Sequence, residues 1–246
     1  MPIIYLSPST QEKNYYVNGG TEEQYMNLLA DKMVPYLNAS GIRYSRNTPE
    51  MTAVSSIAAS NAGNYDLHLA LHSNAAPEGK YGSARGIIVF YYPGSQEGQR
   101  AATIISNNLK SIYPLPNLVR AEATTSIGEV RRVRAPAVFL ELGYHDNQED
   151  AAWIKQNLDA VAKNLVMSLC DFFDIPFLDP STSRLGRVDV DWGVLNIRAR
   201  PDLEAPILAQ APDGSPLTIL NQSGGWYLVN YAGTIGYAKD DFVTLN

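Results

Sequence analysis

The chain has 246 residues, a length that allows one or two domains. Its 19 Lys and Arg residues against 25 Asp and Glu residues give a formal net charge of −6. We therefore expect no nucleic acid and no anionic lipid surface as the main partner, because both require a net basic face. The composition is that of a globular protein, and no apolar run approaches the ~20 residues of a membrane span.

The numbers of cysteine and histidine residues limit the disulfides and metal sites that the chain can form. The single cysteine, Cys170, excludes an intrachain disulfide and a multi-cysteine metal site. A zinc site would have to combine carboxylates with His68, His72 or His145. The chain opens MPIIYLSPST, without a basic start or a long apolar segment, so we expect synthesis in the cytoplasm without a signal peptide.

Short apolar strands and helical segments alternate from the start of the chain. A strand is predicted over Ile3–Leu6, and Thr21 with Gln24 forms a capping box that opens a helix. A second strand, Ile42–Arg46, and a helix of small residues, Thr52–Ala62, follow. The apolar residues of the first helix share one side: Met26, Leu29, Met33 and Leu37.

The alternation continues as far as residue 173. Strands are predicted over Leu67–His72, Gly86–Tyr92 and Ala137–Leu140, and helices over Ser95–Tyr113 and Asn157–Phe173. Strands separated by helices predict an α/β fold, an open mostly parallel sheet with helices on both faces.

The pattern changes after Phe173. Residues 176–186 contain proline and serine and are predicted as a linker. Over 187–246 helical periodicity is absent, and short β-type runs are separated by turns, which predicts a small all-β barrel. The expected organisation is therefore a first domain over 1–175, the linker, and the barrel.

Polar residues fall where an open parallel sheet binds ligands, at the carboxyl ends of its strands. His72 ends one strand, and Glu141 ends the apolar run APAVFLE. A carboxylate at the end of a buried strand costs free energy unless it is paired or used. The loop Ser7–Gly20 follows the first strand and leads to Glu22 and Glu23, where the helix dipole favours negative charge whatever the function.

This combination indicates a metal hydrolase. A His and a Glu suit zinc, and a second Glu suits a general base for the zinc-bound water. Glu141 would take the proton and pass it to the leaving amine. The periodicity alone does not choose between Glu22 and Glu23.

Three stretches carry a resemblance to a known family. They are Gly20–Glu23 with Asn27, Leu71–Ala75 (LHSNA) and Ala135–Asn147 (APAVFLELGYHDN). In their order and spacing, residues 1 to about 175 resemble the zinc-dependent N-acetylmuramoyl-L-alanine amidases. These enzymes cut the amide between N-acetylmuramic acid and the first L-alanine of peptidoglycan.

The resemblance implies a set of roles and a partner. Glu23, four residues before Asn27, and His72 fall on zinc-ligand positions, and Glu141 falls on the catalytic carboxylate. The implied cofactor is one zinc ion, and the implied partners are peptidoglycan or muropeptides. Without a signal peptide, such a protein would act on the cell wall after lysis or after non-classical release.

One position departs from the family. The branch that this chain most resembles reads SPSTQEHN after its first strand, and its His is a zinc ligand; here Lys13 takes that place. A protonated ammonium cannot ligate, and Glu12 is the best local substitute. His68 and His72 lie roughly 13 Å apart at ~3.3 Å per residue, too far for one zinc unless the strand bends. His145 is expected to be structural or substrate-facing.

Three functions therefore compete. The first is a peptidoglycan amidase. The second is a degenerate amidase that binds cell-wall fragments without cutting them, because Lys13 replaces a ligand. The third, which the motifs support least, is a zinc-free hydrolase of another amide. Measured metal content would separate the first two.

The last 60 or so residues resemble bacterial Src-homology-three-like domains. Leu195–Pro201, Gly225–Val229 and Gly236 with Tyr237 carry this resemblance. It implies a module that accompanies cell-wall enzymes and binds peptidoglycan. Trp226 is expected in the core of the barrel.

Overall fold

The computed structural model describes residues 1–180 and 183–245. These fall into two compact units, Met1–Phe177 and Leu178–Asn246. Ser181 and Thr182 of the predicted linker, and Asn246 at the end of the predicted barrel, lie outside the described residues. No helix within the described ranges is long and apolar enough to cross a membrane.

The first unit is built on a six-stranded sheet. Its strands in chain order are β1 Ile3–Pro8, β2 Arg43–Arg46, β3 Leu67–Asn74, β4 Ile87–Tyr91, β5 Val119–Ala123 and β6 Ala137–Tyr144. Their order across the sheet is β2-β1-β3-β6-β4-β5. β4 runs antiparallel to β6, and the other pairs are parallel, as the sequence predicts for a mostly parallel sheet.

Helices cover the sheet of the first unit. They are α1 Glu22–Ala39, α2 Ala53–Ala62, α3 Gln96–Leu109, α4 Gly128–Arg131, α5 Gln148–Gln156 and α6 Leu158–Phe173. The hydroxyl of Thr21 accepts the N–H of Gln24 at 3.2 Å, which is half of the predicted capping box. The full reciprocal box occurs at the start of α2, between Thr52 and Ser55.

Alternation along the strands divides the interior into two faces. On β3, Leu67, Leu69 and Leu71 join the large apolar core with α1, α3 and α6. The intervening residues face the other way, where Ala70 packs with Val130 of α4. Helices therefore lie on both faces, which confirms the predicted fold class. The second face is the more polar one, and it carries the candidate site.

The second unit is all β. Its strands are β7 Arg184–Val188, β8 Val194–Arg198, β9 Ile207–Pro212, β10 Pro216–Ser223, β11 Trp226–Tyr231, β12 Thr234–Lys239 and β13 Val243–Leu245. They form one antiparallel sheet in the order β13-β7-β10-β11-β12-β8-β9. A compact apolar core lies inside it, with Ile197 and Val229 fully buried.

The boundary of the second unit differs from the predicted linker. β7 begins at Arg184, within the segment 176–186. Gly186 lies within this strand at a crowded position: a Cβ there would lie 2.8 Å from Cδ1 of Ile219 and 2.9 Å from the carbonyl oxygen of Thr244. The glycine thus allows a close approach between neighbouring strands, although glycine by itself is typical of a turn.

Cys170 lies on α6, within the large apolar core. Burial raises the pKa of its thiol to about 11. The thiol therefore packs as a small apolar side chain at neutral pH.

Candidate active site

The start of α1 brings a carboxylate to the end of β3. Glu22 is 1% exposed, and its Oε1 lies 2.7 Å from Nδ1 of His72. Its second oxygen accepts a hydrogen bond from Nδ2 of Asn14 at 2.6 Å. Burial opposes ionisation of Glu22, but the hydrogen bonds from His72 and Asn14 hold its pKa below the usual value. The first helical turn therefore presents an ionised carboxylate to His72.

Glu22, and not Glu23, is the glutamate beside His72. Consecutive helical residues point ~100° apart, so only one of the two can face the end of the sheet. Glu23 is partly exposed, and its backbone carbonyl accepts a hydrogen bond from Nδ2 of Asn27 at 2.8 Å. The assignment of Glu23 as a zinc ligand stays a prediction, and the geometry favours its neighbour.

His72 is held between two carboxylates. It is 6% exposed, with Nδ1 towards Glu22 and Nε2 3.4 Å from Oε2 of Glu129. Its ring stacks on Phe139, with centroids 4.1 Å apart. Burial alone would lower the pKa of His72, but the hydrogen bonds to Glu129 and Glu22 outweigh it and raise the pKa to about 10. In this arrangement His72 is a protonated imidazolium with one carboxylate beside each ring nitrogen.

Glu129 is a member of the site that the sequence patterns did not reveal. It comes from α4 and is 5% exposed. One oxygen, Oε1, accepts from Oγ of Ser7 at 2.6 Å and lies 3.2 Å from Nε2 of His68. Burial opposes its ionisation, but the hydrogen bonds from His68 and His72 lower its pKa to about 2. A single carboxylate thus links both histidines of β3, although their spacing along the strand predicts that they are too far apart to share one metal.

Glu141 lies on β6 directly opposite His72 in the parallel ladder. Its Oε2 is buried and has no hydrogen-bond partner among the described residues. Burial raises the pKa of Glu141 to about 8; the charge of His72 opposes this rise and the charge of Glu22 adds to it. A carboxyl group that titrates near neutral pH suits proton transfer.

The loop after β1 provides amides near His72. Gln11 places its Nε2 3.5 Å from Nδ1 of His72, at the limit of a hydrogen bond. Glu12 and Lys13 are exposed. Within residues 1–180 and 183–245, no three His, Cys, Asp or Glu side chains are arranged to hold a metal ion.

His145 lies behind the end of β3. Its Nδ1 is 2.9 Å from the carbonyl oxygen of Ser73 and 3.1 Å from the Ser73 hydroxyl. The ring stacks on Tyr16, whose hydroxyl donates to Oγ of Ser73 at 3.0 Å. These contacts are structural, since they fix the strand end that carries His72.

Comparison with known proteins identifies the family of each unit. The sequence profile of the N-acetylmuramoyl-L-alanine amidases matches residues 9–170, and that of the bacterial SH3 domain matches residues 193–244. The first match spans more than half of the sequence, and the chain belongs to the N-acetylmuramoyl-L-alanine amidase family. It is thus an amidase-like hydrolase with a C-terminal bacterial SH3 domain, as the two resemblances predict.

Solved structures share the fold of the first unit. The amidase AmiC2 of Nostoc punctiforme superposes with a TM-score of 0.61 at 13% identity, covering 70% of this chain and 97% of that one. The catalytic domain of CwlV from Bacillus (Paenibacillus) polymyxa gives 0.62 at 14%, covering 72% and 100%. The catalytic domain of the CD27L endolysin, which targets Clostridia difficile, gives 0.58 at 21%, covering 70% and 98%. A search of curated protein sequences finds no match.

Proposed function

We propose that this chain hydrolyses the amide between N-acetylmuramic acid and L-alanine in peptidoglycan, with Glu141 as the general base. The observation that carries the proposal is the unpaired, buried oxygen of Glu141 opposite His72. A buried carboxyl oxygen without a hydrogen-bond partner is unusual in a folded protein, and such groups are typical of catalytic sites. The family match supplies the substrate class.

Two of the residues present fit the zinc ion that the family implies. Nδ1 of His72 and Oε1 of Glu22 lie 2.7 Å apart in a hydrogen bond whose proton a zinc ion would displace, and a neutral imidazole nitrogen and a carboxylate oxygen are ligands that zinc takes. His72 and Glu22 would hold the ion, and the exposed Lys13 supplies no third ligand. When bound, zinc polarises a carbonyl and lowers the pKa of water.

The protein groups around this pair have separate tasks. Glu129 binds Nε2 of His72 and so directs Nδ1 towards Glu22. Glu141 removes a proton from the attacking water as the new C–O bond forms. It then returns that proton to the nitrogen of L-alanine as the C–N bond breaks. The hydroxyl of the water thus ends on the lactyl carbonyl carbon, and its other hydrogen ends on the amine of L-alanine. With a pKa of about 8, Glu141 exchanges this proton readily near neutral pH.

The second unit supplies a surface suited to wall binding, in this proposal. Trp192 is 88% exposed beside a cavity of about 580 Å³ that Trp226 and Phe242 also line. Aromatic side chains in a concave surface are common at ligand sites. We assign the binding of intact walls to this unit, in line with its family match.

A second candidate function is binding of cell-wall fragments without cleavage. Lys13 favours it, because an exposed ammonium stands where the related branch has a ligand. A catalytic zinc site normally uses three protein ligands and water. Both candidate functions include binding of peptidoglycan, and only the first includes its cleavage.

A direct assay separates them. Intact peptidoglycan is incubated with the full chain and zinc, and newly freed amino groups of L-alanine are quantified alongside the metal content of the protein. We expect release by the wild type and roughly a 10²–10⁴-fold loss in Glu141→Gln, while the exposed Glu97→Gln behaves as wild type. A wild type that binds walls but releases no amino groups establishes the second candidate. An active Glu141→Gln variant overturns the role of Glu141.

A further inference from the structure

A lysine in the last turn of α5 holds the loop that follows β1. Nζ of Lys155 donates to the backbone carbonyls of Asn18 and Gly19, at 3.0 Å and 2.6 Å. The same ammonium lies 4.8 Å from the ring centroid of Tyr25 and 5.5 Å from that of Tyr16, within the range of cation–π contacts. One positive charge thus joins two carbonyls and two aromatic rings.

The segment that this lysine contacts, residues 14–22, is a small hairpin. At its base, the N–H of Glu22 donates to the carbonyl of Asn14 at 2.8 Å. At its tip, Gly19 and Gly20 have φ of +91° and +79°, the left-handed region that glycine enters readily. Because two adjacent glycines have many alternative conformations, contacts from outside the hairpin are needed to keep its tip in one of them.

The hairpin supports both oxygens of the Glu22 carboxylate. Nδ2 of Asn14 donates to Oε2 at 2.6 Å. On the other side, the hydroxyl of Tyr16 donates to Oγ of Ser73 at 3.0 Å, and the N–H of Ser73 donates to Oε1 of Glu22 at 3.4 Å. This Oε1 is the atom that lies 2.7 Å from Nδ1 of His72. The orientation of Glu22 therefore depends on groups that the hairpin carries or holds.

We propose that Lys155 is a positioning residue for Glu22: it holds the hairpin tip and Tyr16, and thereby keeps the Glu22 carboxylate turned towards His72. The connection to zinc rests on the proposed function, which assigns Glu22 and His72 as ligands. Lys155 acts through the hairpin, since its hydrogen bonds go to backbone carbonyls there. Without this anchor a smaller fraction of molecules holds Glu22 in the binding arrangement, which lowers the apparent zinc affinity by that fraction.

The charge of the lysine and its positioning role have opposite effects on zinc binding. An ammonium repels a nearby divalent cation, so removal of the charge alone would tighten zinc binding. Loss of positioning would weaken it. The sign of the change in zinc affinity therefore separates the two roles.

Competition with a chelating dye measures the zinc affinity of the full chain at pH 7. We expect Lys155→Met to raise the zinc dissociation constant roughly tenfold, the lower end of the range for outer partners of metal ligands. Lys155→Arg keeps the charge and can donate to two carbonyls, so it should recover most of the wild-type affinity. The matched control is Lys110→Met, which removes an exposed lysine that binds Asn107 and should leave the affinity unchanged.

Urea unfolding of each metal-free variant establishes that it is fully folded under the conditions of the titration. Lys155 is partly exposed, so its substitution does not open the apolar core. An unchanged or tighter zinc affinity in Lys155→Met overturns the positioning role. An equal loss in Lys110→Met, or a loss that Lys155→Arg does not recover, overturns it as well.

A measurement without metal distinguishes failure of this inference from failure of the proposed function. In metal-free protein, the NMR resonances of the Asn14 side-chain amide report its hydrogen bond to Glu22. We expect them to move towards those of a solvent-exposed amide in Lys155→Met and to stay in place in Lys110→Met. Unchanged Asn14 resonances in Lys155→Met overturn the inference. A wild type that neither binds zinc nor releases L-alanine, but shows this response at Asn14, overturns the proposed hydrolysis and leaves the positioning role standing.

Discussion

Substituting the two neighbouring glutamates of α1 separately distinguishes the partner of His72. Glu22→Gln removes the charge of a carboxylate that is 1% exposed and bonded to His72 and Asn14. Breaking a buried ion pair from one side costs ~3–5 kcal/mol. Because the glutamine keeps an acceptor oxygen and His72 keeps Glu129, we expect a loss near the lower end, about 3 kcal/mol. Glu23→Gln, at a partly exposed position, should stay within ~0.5 kcal/mol of the wild type.

Two measurements on metal-free and zinc-loaded protein report the outcome. Urea unfolding at pH 7 gives the free energy of unfolding, with the slope compared to detect changes in the denatured state. Competition with a chelating dye gives the zinc affinity. We expect both quantities to fall in Glu22→Gln and neither to change in Glu23→Gln. Loss of zinc affinity in Glu23→Gln alone would restore Glu23 as the ligand that the family resemblance predicts and would refute the geometric argument.

Three further predictions concern pH, the loop and the second unit. The pKa of Glu141 is raised from 4.5 to about 8, so the stability tied to its protonated form is present below pH 4.5 and lost as the pH rises through 8. Metal-free wild type should therefore lose on the order of 3–5 kcal/mol relative to Glu141→Gln between pH 4.5 and 8 in urea unfolding, and a constant difference would contradict the shift. Lys13→His should bind zinc more tightly in a chelator titration and raise amidase activity, whereas Lys13→Gln, which only removes the charge, should not gain a ligand. A chain that ends at Phe177 should keep its circular dichroism and cooperative unfolding but bind intact walls more weakly in a pull-down; unchanged wall binding would assign another role to the second unit.

The sequence was most informative where periodicity and local chemistry agree. Leucine occupies every second position of the run LHLALH, and β3 sends its leucines into the large core and His72 to the opposite face. On β6, Leu140 and Leu142 enter the large core in the same way and Glu141 alternates with them, although Glu141 lies within the strand and not at its end as the run APAVFLE predicts. The fold class, the all-β second unit and the family are confirmed. The zinc ion and the catalytic roles stay predictions.

Other features depend on contacts that no local pattern encodes. The hydrogen bond between Ser7 and Glu129 joins residues that are 122 positions apart in the chain. The helix α4, which carries Glu129, is only four residues long. A helix of this length produces no hydrophobic periodicity in the sequence. From the sequence alone, its glutamate cannot be distinguished from an exposed charged residue. The choice between Glu22 and Glu23 likewise depends on the rotation of α1 about its axis, because both residues satisfy the first-turn preference for acidic side chains.

Cys170 gives the chain a practical property. Thiol reagents attack the thiolate, and with its pKa at about 11 the enclosed sulfur of Cys170 presents almost none of that form to solvent at neutral pH. A cysteine placed at exposed Ala58 would then be the one group that a maleimide dye modifies quickly, with no need to remove the native residue.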